Sequence, residues 1–204
     1  VSGRRADVSG AVLAGGRSRR LGTDKRLVLI EGRPLLGRAV AAVREVASDL
    51  HVIVADPADA DLVSDVLGAD GEDVAVHTDA RPDCGPAAGL EVALSVARHE
   101  LVLIVATDHP VLRAEVLALL IERAGDSTAL AVALEGPYGG EPLLAVYRTA
   151  ALARVRARLD AGHRRMQDML AALDPELIAR TDWQRFDPAG VTLRDIDLPS
   201  DLER

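Results

Sequence analysis

The sequence predicts a three-layer α/β fold built on a mostly parallel central sheet. Three observations lead there. Short apolar runs alternate with helical periodicities over the first two thirds of the chain, the pattern of strands covered on both faces by crossover helices. The most apolar run, LVLIVA over 101–106, has no polar residue to turn toward water and belongs at the sheet centre. The chain has 204 residues and is 49% hydrophobic, enough for a substantial core. One domain over 1–204 is expected, with residues 1–9 a patternless tail.

The elements follow in order. Residues 10–14 form the first strand and 15–24 a long loop. Residues 27–30 extend briefly and close in a turn at Glu31-Gly32. Pro34 suits the first position of a helix, and Leu35, Leu36, Ala39, Val40 and Val43 recur at helical spacing, carrying it to about Ala47. A strand over 50–55, a helix over 57–67 and a strand over 74–77 come next. Residues 78–86 carry two prolines and a glycine and read as a turn-rich connection. A helix over 87–97, the central strand 101–106 and a helix over 114–124 follow. Residues 129–134 and 143–147 extend around a turn at 137–140. Helices are expected over 150–159 and 165–173, edge strands over 177–180 and 191–194, and a last short helix from Pro199.

Composition narrows the partners. The net charge of −8 and an aromatic content of 2% argue against nucleic acid, which wants a basic face and stacking rings. Cys84 is the only cysteine, so no internal disulfide or cysteine-based metal cage is expected. No apolar run approaches a membrane span and no signal peptide is visible, so a cytoplasmic protein away from membranes is expected.

In a sheet of this class, ligands bind beyond the carboxyl ends of the strands. Three loops should converge there: 15–25, 78–89 and 107–111. The first opens with Gly15-Gly16 after an apolar run and carries Arg17, Arg19, Arg20 and Lys25. Bare backbone can approach a ligand closely, successive N–H groups make an anion site, and the cations suit a polyphosphate. Of 24 lysines and arginines, Lys25 is the only lysine. Its compact ammonium acts as a point charge on phosphate where a guanidinium fork would not fit; the plain alternative is a surface lysine. Neither GxxxxGK[ST] nor GxGxxG is present, which excludes a P-loop NTPase and a standard dinucleotide site. A nucleoside triphosphate at the end of the first strand is the expectation.

Four other segments carry chemistry. Thr107-Asp108-His109-Pro110 follows the central strand. There Asp108 either holds Mg²⁺ against substrate phosphates or caps the next helix, and His109 reads as a loop residue. The segment DARPDCGPAAG, from Asp79 through Gly85 to Gly89, either presents backbone amides to an anion or base, or is an ordinary strand-to-helix turn. Cys84 within it reads as a packing residue. Asp195 and Asp197 alternate onto one face, for a second metal or a ligand hydroxyl, or as a solvated edge. Gly162-His163-Arg164-Arg165 can grip an anionic second substrate, whereas Arg154, Arg156 and Arg158 read as a solvated face.

These pieces, in this order, resemble the MobA-like nucleotidyltransferase family over 12–202. That family contains the molybdenum cofactor guanylyltransferases and cytidylyltransferases. Its opening, LAGGxSxRMGxDK, is matched from Leu13 to Lys25 with Leu21 in place of Met. Its GPLAG segment matches 85–89, and its CDxP-like metal motif matches Asp108, with Thr107 for Cys. Its GERR-like segment matches 162–165, with His163 for Glu. Its NxNTPEDL matches 195–202, with Asp195 and Asp197 for both asparagines and Leu198 for Thr. A nucleotide-contacting Asn after the second strand is Ala55 here and is not carried over.

The resemblance implies a Rossmann-like nucleotidyltransferase fold that moves GMP from GTP onto a molybdopterin-type cofactor, with Mg²⁺ and release of pyrophosphate. It implies nucleotide or cofactor contacts at Leu13, Ala14, Gly15, Gly16, Lys25, Asp79, Gly85, Gly89, Arg164 and Arg165. Lys25, Arg19, Arg20 and Asp108 would be catalytic, and Asp108 and Asp197 would hold metal. Gly16 and Gly89 favour guanine, since cytosine enzymes of the family tend to read LAAG and GPLAS; the Asp-x-Asp ending is less typical of the guanine group. Cytidylyl transfer, another small-phosphate acceptor, or a nucleotide-binding insertion chaperone of a molybdoenzyme are the alternatives. A molybdoenzyme or such a chaperone is also the further partner the reading allows.

Overall fold

The computed structural model describes residues 5–15, 24–79, 81 and 83–196. Its strands are β1 (Arg5–Leu13), β2 (Leu29–Ile30), β3 (Arg33–Pro34), β4 (Ala47–Val54), β5 (Val74–Thr78), β6 (Leu101–Ala106), β7 (Ala131–Gly136), β8 (Gly139–Arg148) and β9 (Glu176–Ile178). Its α-helices are α1 (Leu35–Arg44), α2 (Asp59–Leu67), α3 (Pro86–Val96), α4 (Ala114–Asp126), α5 (Leu152–Asp160), α6 (Met166–Ala171) and α7 (Arg180–Trp183).

Seven strands form one sheet in the order β5-β4-β1-β6-β8-β7-β9. Every neighbouring pair is parallel except those made by β8, which runs antiparallel to β6 and β7. β6 is the middle strand of the seven, as its unbroken apolar run predicts, and Val102 to Ala106 are all buried. Each fully buried Val, Leu or Ile there contributes about 1.5–3 kcal/mol relative to exposure.

Alternation along the strands separates two cores. Val8 and Val12 of β1 face one side with Val43 of α1, Val63 of α2, Leu120 of α4 and Trp183 of α7. Ala11 and Leu13 face the other with Leu90 of α3, Val155 of α5 and Met169 of α6. α1 lies this close to β1 because residue 10 has no side chain: a Cβ there would stand 2.2 Å from Val43 Cγ1.

Several predicted boundaries are corrected. The tail ends earlier than residue 9, since β1 begins at Arg5 and Ser9 is fully buried. A serine does not read as core, but its hydroxyl donates to the Asp49 carboxylate at 2.6 Å, so no polar group is stranded. The first helix stops at Arg44 because Ala47 and Asp49 already pair with β1. The second starts at Asp59, after a turn in which Asp59 N–H donates to the Asp56 carbonyl. Of the first predicted edge strand only Leu177 and Ile178 pair, within β9, and Arg180 opens α7 instead. The segment 191–194 is not a strand. Gly190 takes φ 63° and Asp187 accepts from Thr192 N–H at 2.7 Å, which winds Val191–Leu193 into a 3-10 turn. The helix expected from Pro199 lies outside the described residues.

Candidate active site

The carboxyl ends of β1, β4 and β6 pin the glycine turn from both sides. Ala14 N–H donates to the Ile53 carbonyl at 2.8 Å. Thr107 donates through its backbone N–H at 3.3 Å and its Oγ1 at 3.0 Å, both to the Leu13 carbonyl. The Leu13 side chain turns into the core and Ala14 is buried, so what this turn offers a ligand is its backbone and the exposed Gly15. A Cβ on Gly15 would stand 3.3 Å from that of Ala55, so the two chain segments touch where β1 and β4 end.

Lys25 begins a 3-10 turn, Lys25–Leu27, that Asp24 caps. Asp24 accepts from Arg26 N–H at 3.0 Å and from its guanidinium at 2.6–3.1 Å, and Arg26 Nη2 also reaches Asp59 at 3.0 Å. The Arg26 hydrogen bond holds the Asp24 carboxyl below its ordinary range, and the two carboxylates raise the buried guanidinium's affinity for its proton. Arg26 is therefore a fastener inside the cationic loop. Sequence reasoning missed it, although an arginine straight after the lone lysine was visible.

This turn sets Lys25 Nζ 3.7 Å from Asp108 Oδ2, with the two side chains 19% and 30% exposed. The alternative reading of Asp108 fails: α4 starts at Ala114 after Arg113 and has no side-chain cap. The Asp108 loop is itself braced. Its carbonyl accepts from Ile196 N–H at 3.0 Å, and buried His109 donates from Nδ1 to the Arg194 carbonyl at 3.1 Å. Arg38 donates to the carbonyls of Pro110 and Ile30. Asp195 thereby comes beside the Asp108 loop, in coil rather than on the strand that the alternation predicts.

The third segment lies on the β4–β5 side. Asp79 N–H donates to the Val54 carbonyl at 2.9 Å; burial raises the Asp79 carboxyl's pKa against a backbone bond from Arg81. Gly85 is exposed with φ 59°, a left-handed conformation that favours glycine, and Pro86 follows as the first residue of α3. Gly89 points inward: a Cβ there would meet Leu13 Cδ2 at 3.2 Å, so this glycine seats α3 on β1. Cys84 is buried, as expected. Arg164 donates to the Asp83 carbonyl at 3.1 Å, which joins the basic 162–165 loop to this segment, and Arg165 is exposed beside it. Arg156 is exposed but engaged, donating to Glu91 at 3.0 Å. Gly16, Arg19, Arg20 and Asp197 lie outside the described residues.

Among the described residues no group of three or more His, Cys, Asp or Glu could hold a metal ion as a cage. One half-exposed carboxylate at a strand end, facing a lysine, fits a hard cation whose other ligands are phosphate oxygens and water. Among the described residues no helix is long and apolar enough to cross a membrane.

An open sheet of this order, with a glycine turn, a lysine and a carboxylate at its carboxyl end, has the build of a nucleotidyltransferase. The chain belongs to the MobA-like NTP transferase domain family, whose model matches residues 10–177. It is 35% identical to the probable molybdenum cofactor guanylyltransferase of Chloroflexus aggregans, over 96% of this chain and 92% of that one. It is 33% identical to the protein of the same description from Methanothermobacter thermautotrophicus, over 94% and 95%. In fold it is similar to the crystal structure of molybdopterin-guanine dinucleotide biosynthesis protein A from Archaeoglobus fulgidus. The TM-score is 0.80 at 24% identity, covering 96% of this chain and 95% of that one.

Proposed function

We propose that this chain transfers GMP from GTP onto a molybdopterin-type cofactor and releases pyrophosphate. The observation that carries the reading is the Lys25–Asp108 pair, set at the strand ends beside the Leu13–Gly15 turn. The relatives' description as guanylyltransferases supports the choice of nucleotide and acceptor.

In this reading a terminal phosphate oxygen of the acceptor forms a bond to the α-phosphorus of GTP. The bond from that phosphorus to the bridging oxygen breaks, and pyrophosphate leaves with the electron pair. An ionised phosphate needs no general base, so the protein's work is positioning and charge neutralisation. Backbone groups of Ala14, Gly15 and Gly16 and of the segment from Asp79 to Gly85 hold the nucleotide. Lys25 neutralises the departing phosphates, helped by Arg19 and Arg20. Arg164 and Arg165 receive the anionic acceptor. Asp108, with Asp197 as a second carboxylate, would hold Mg²⁺, which when bound offsets phosphate charge. GTP supply and a free cysteine, Cys84, fit a cytoplasmic place of action.

Calorimetric titration with GTP, CTP and UTP in the presence of Mg²⁺ tests the nucleotide, and pyrophosphate release with purified cofactor tests the transfer. Preference for GTP with release is expected. Preference for CTP would overturn the guanine assignment, and tight GTP binding without release would leave a chaperone.

A further inference from the structure

Glu141 belongs to none of the segments that the sequence singles out, yet it stands at the functional end of the sheet. β8 runs antiparallel to β6 and pairs Leu144 with Val105, so the first residues of β8 reach the end where β6 delivers Asp108. The Glu141 carboxylate lies against the backbone of residue 136. A Cβ there would stand 1.9 Å from Glu141 Oε1, so glycine at 136 leaves room for the acid. Gly140 faces the other way, toward Leu170 and Leu177. His109 and Asp195 are both close enough for their charges to act on Glu141.

The carboxylate is half-buried and accepts no hydrogen bond from a described residue. Burial is the largest influence on it and pushes its pKa up; Asp195 adds to this and His109 opposes it. A partly desolvated carboxylate without donors is a costly feature unless a ligand supplies them.

Its place in the sheet says which ligand. The strand order puts β1, β4 and β5 on one flank of β6, with the glycine turn and the 79–89 segment, and β8 and β7 on the other. Asp108 and Lys25 lie between the flanks. If the nucleotide occupies the first flank, the acceptor meets Glu141.

We propose that Glu141 reads the acceptor, its two oxygens accepting from the adjacent ring N–H and exocyclic amine of a 2-amino-4-oxopyrimidine edge. A pterin presents that edge, and a two-oxygen acceptor matches its paired donors. Guanine carries the same edge, so the experiment separates the two sources. The inference rests on the proposed transfer to a molybdopterin-type cofactor.

Steady-state kinetics of Glu141→Gln and Glu141→Ala, with calorimetric GTP titration of each, form the test. The amide replaces one acceptor atom by a donor at constant size. A tenfold or greater rise in KM for the cofactor is expected, with GTP affinity kept within about twofold, which also shows that the variants fold. An acceptor lacking the exocyclic amine should be a poor substrate for the natural protein and lose most of that handicap with Glu141→Gln. An unchanged acceptor KM overturns the proposal, and a loss of GTP affinity instead assigns Glu141 to the guanine. If the natural protein uses CTP rather than GTP but the acceptor effect holds, the guanine reading fails and this one stands.

Discussion

Two carboxylates on this sheet, Asp49 and Asp108, live under opposite rules. Asp49, on β4, is buried. It accepts from Ser9 Oγ at 2.6 Å, from His51 Nε2 at 2.8 Å and from Arg98 N–H at 3.0 Å. His51 Nδ1 in turn lies 3.1 Å from His77 Nε2, which extends the chain of bonds to β5. Burial alone would raise the Asp49 carboxyl, but these donors overcome it and hold it at about 2. Asp108 sits at a strand end, 30% exposed, and meets Lys25 at 3.7 Å, beyond hydrogen-bond length. A carboxylate saturated by its own protein holds a fold together. In the proposed reading, one kept at a distance from its counter-charge lends its lone pairs to a ligand.

The comparison breaks most sharply at the site. Asp108→Ala or Lys25→Ala should lower pyrophosphate release by 10²–10³-fold, the loss typical of a key electrostatic group, with little change in melting temperature. A loss under about threefold would remove these two residues from the chemistry.

Asp49→Ala should do the reverse. Removing one partner of a buried charged network costs about 3 kcal/mol, read as a lower denaturation midpoint, while activity per folded molecule is kept. The pH dependence follows in sign. A carboxyl depressed on folding stabilises above its unfolded pKa, and that stability is lost as pH falls from about 4 through about 2. The contribution is roughly 2 kcal/mol, and acid denaturation of the natural protein and Asp49→Asn should differ across that window.

Arg26→Ala should give the smallest effect. It touches Asp24 and Asp59 rather than the Lys25–Asp108 pair, and frees the turn that aims Lys25. About a tenfold fall in kcat/KM is expected, partly restored by Arg26→Lys, as misplacement of a catalytic group predicts.

Much of the candidate site was legible as types and order. The glycine turn, Lys25 and the carboxylate after the central strand sit where an α/β sheet binds ligands, and that rule depends only on chain direction. Gly89 shows the limit of such reading. It was expected at a ligand, and the structure places it against Leu13, because a glycine looks alike in sequence whether it admits a ligand or a neighbouring helix. Arg26 and Glu141 were missed for a related reason. Neither stands in a run or a period, and each matters through partners far along the chain.

By itself the sequence determined the two periodicities, and with them the alternation of strands and helices and the central place of 101–106. These are local consequences of side-chain spacing. Only the tertiary structure decided that Ser9 is buried, that 191–194 coils, that β8 runs backward, and that Lys25 faces Asp108. Each depends on a bond or contact between distant segments, whose energy exists only once both are brought together.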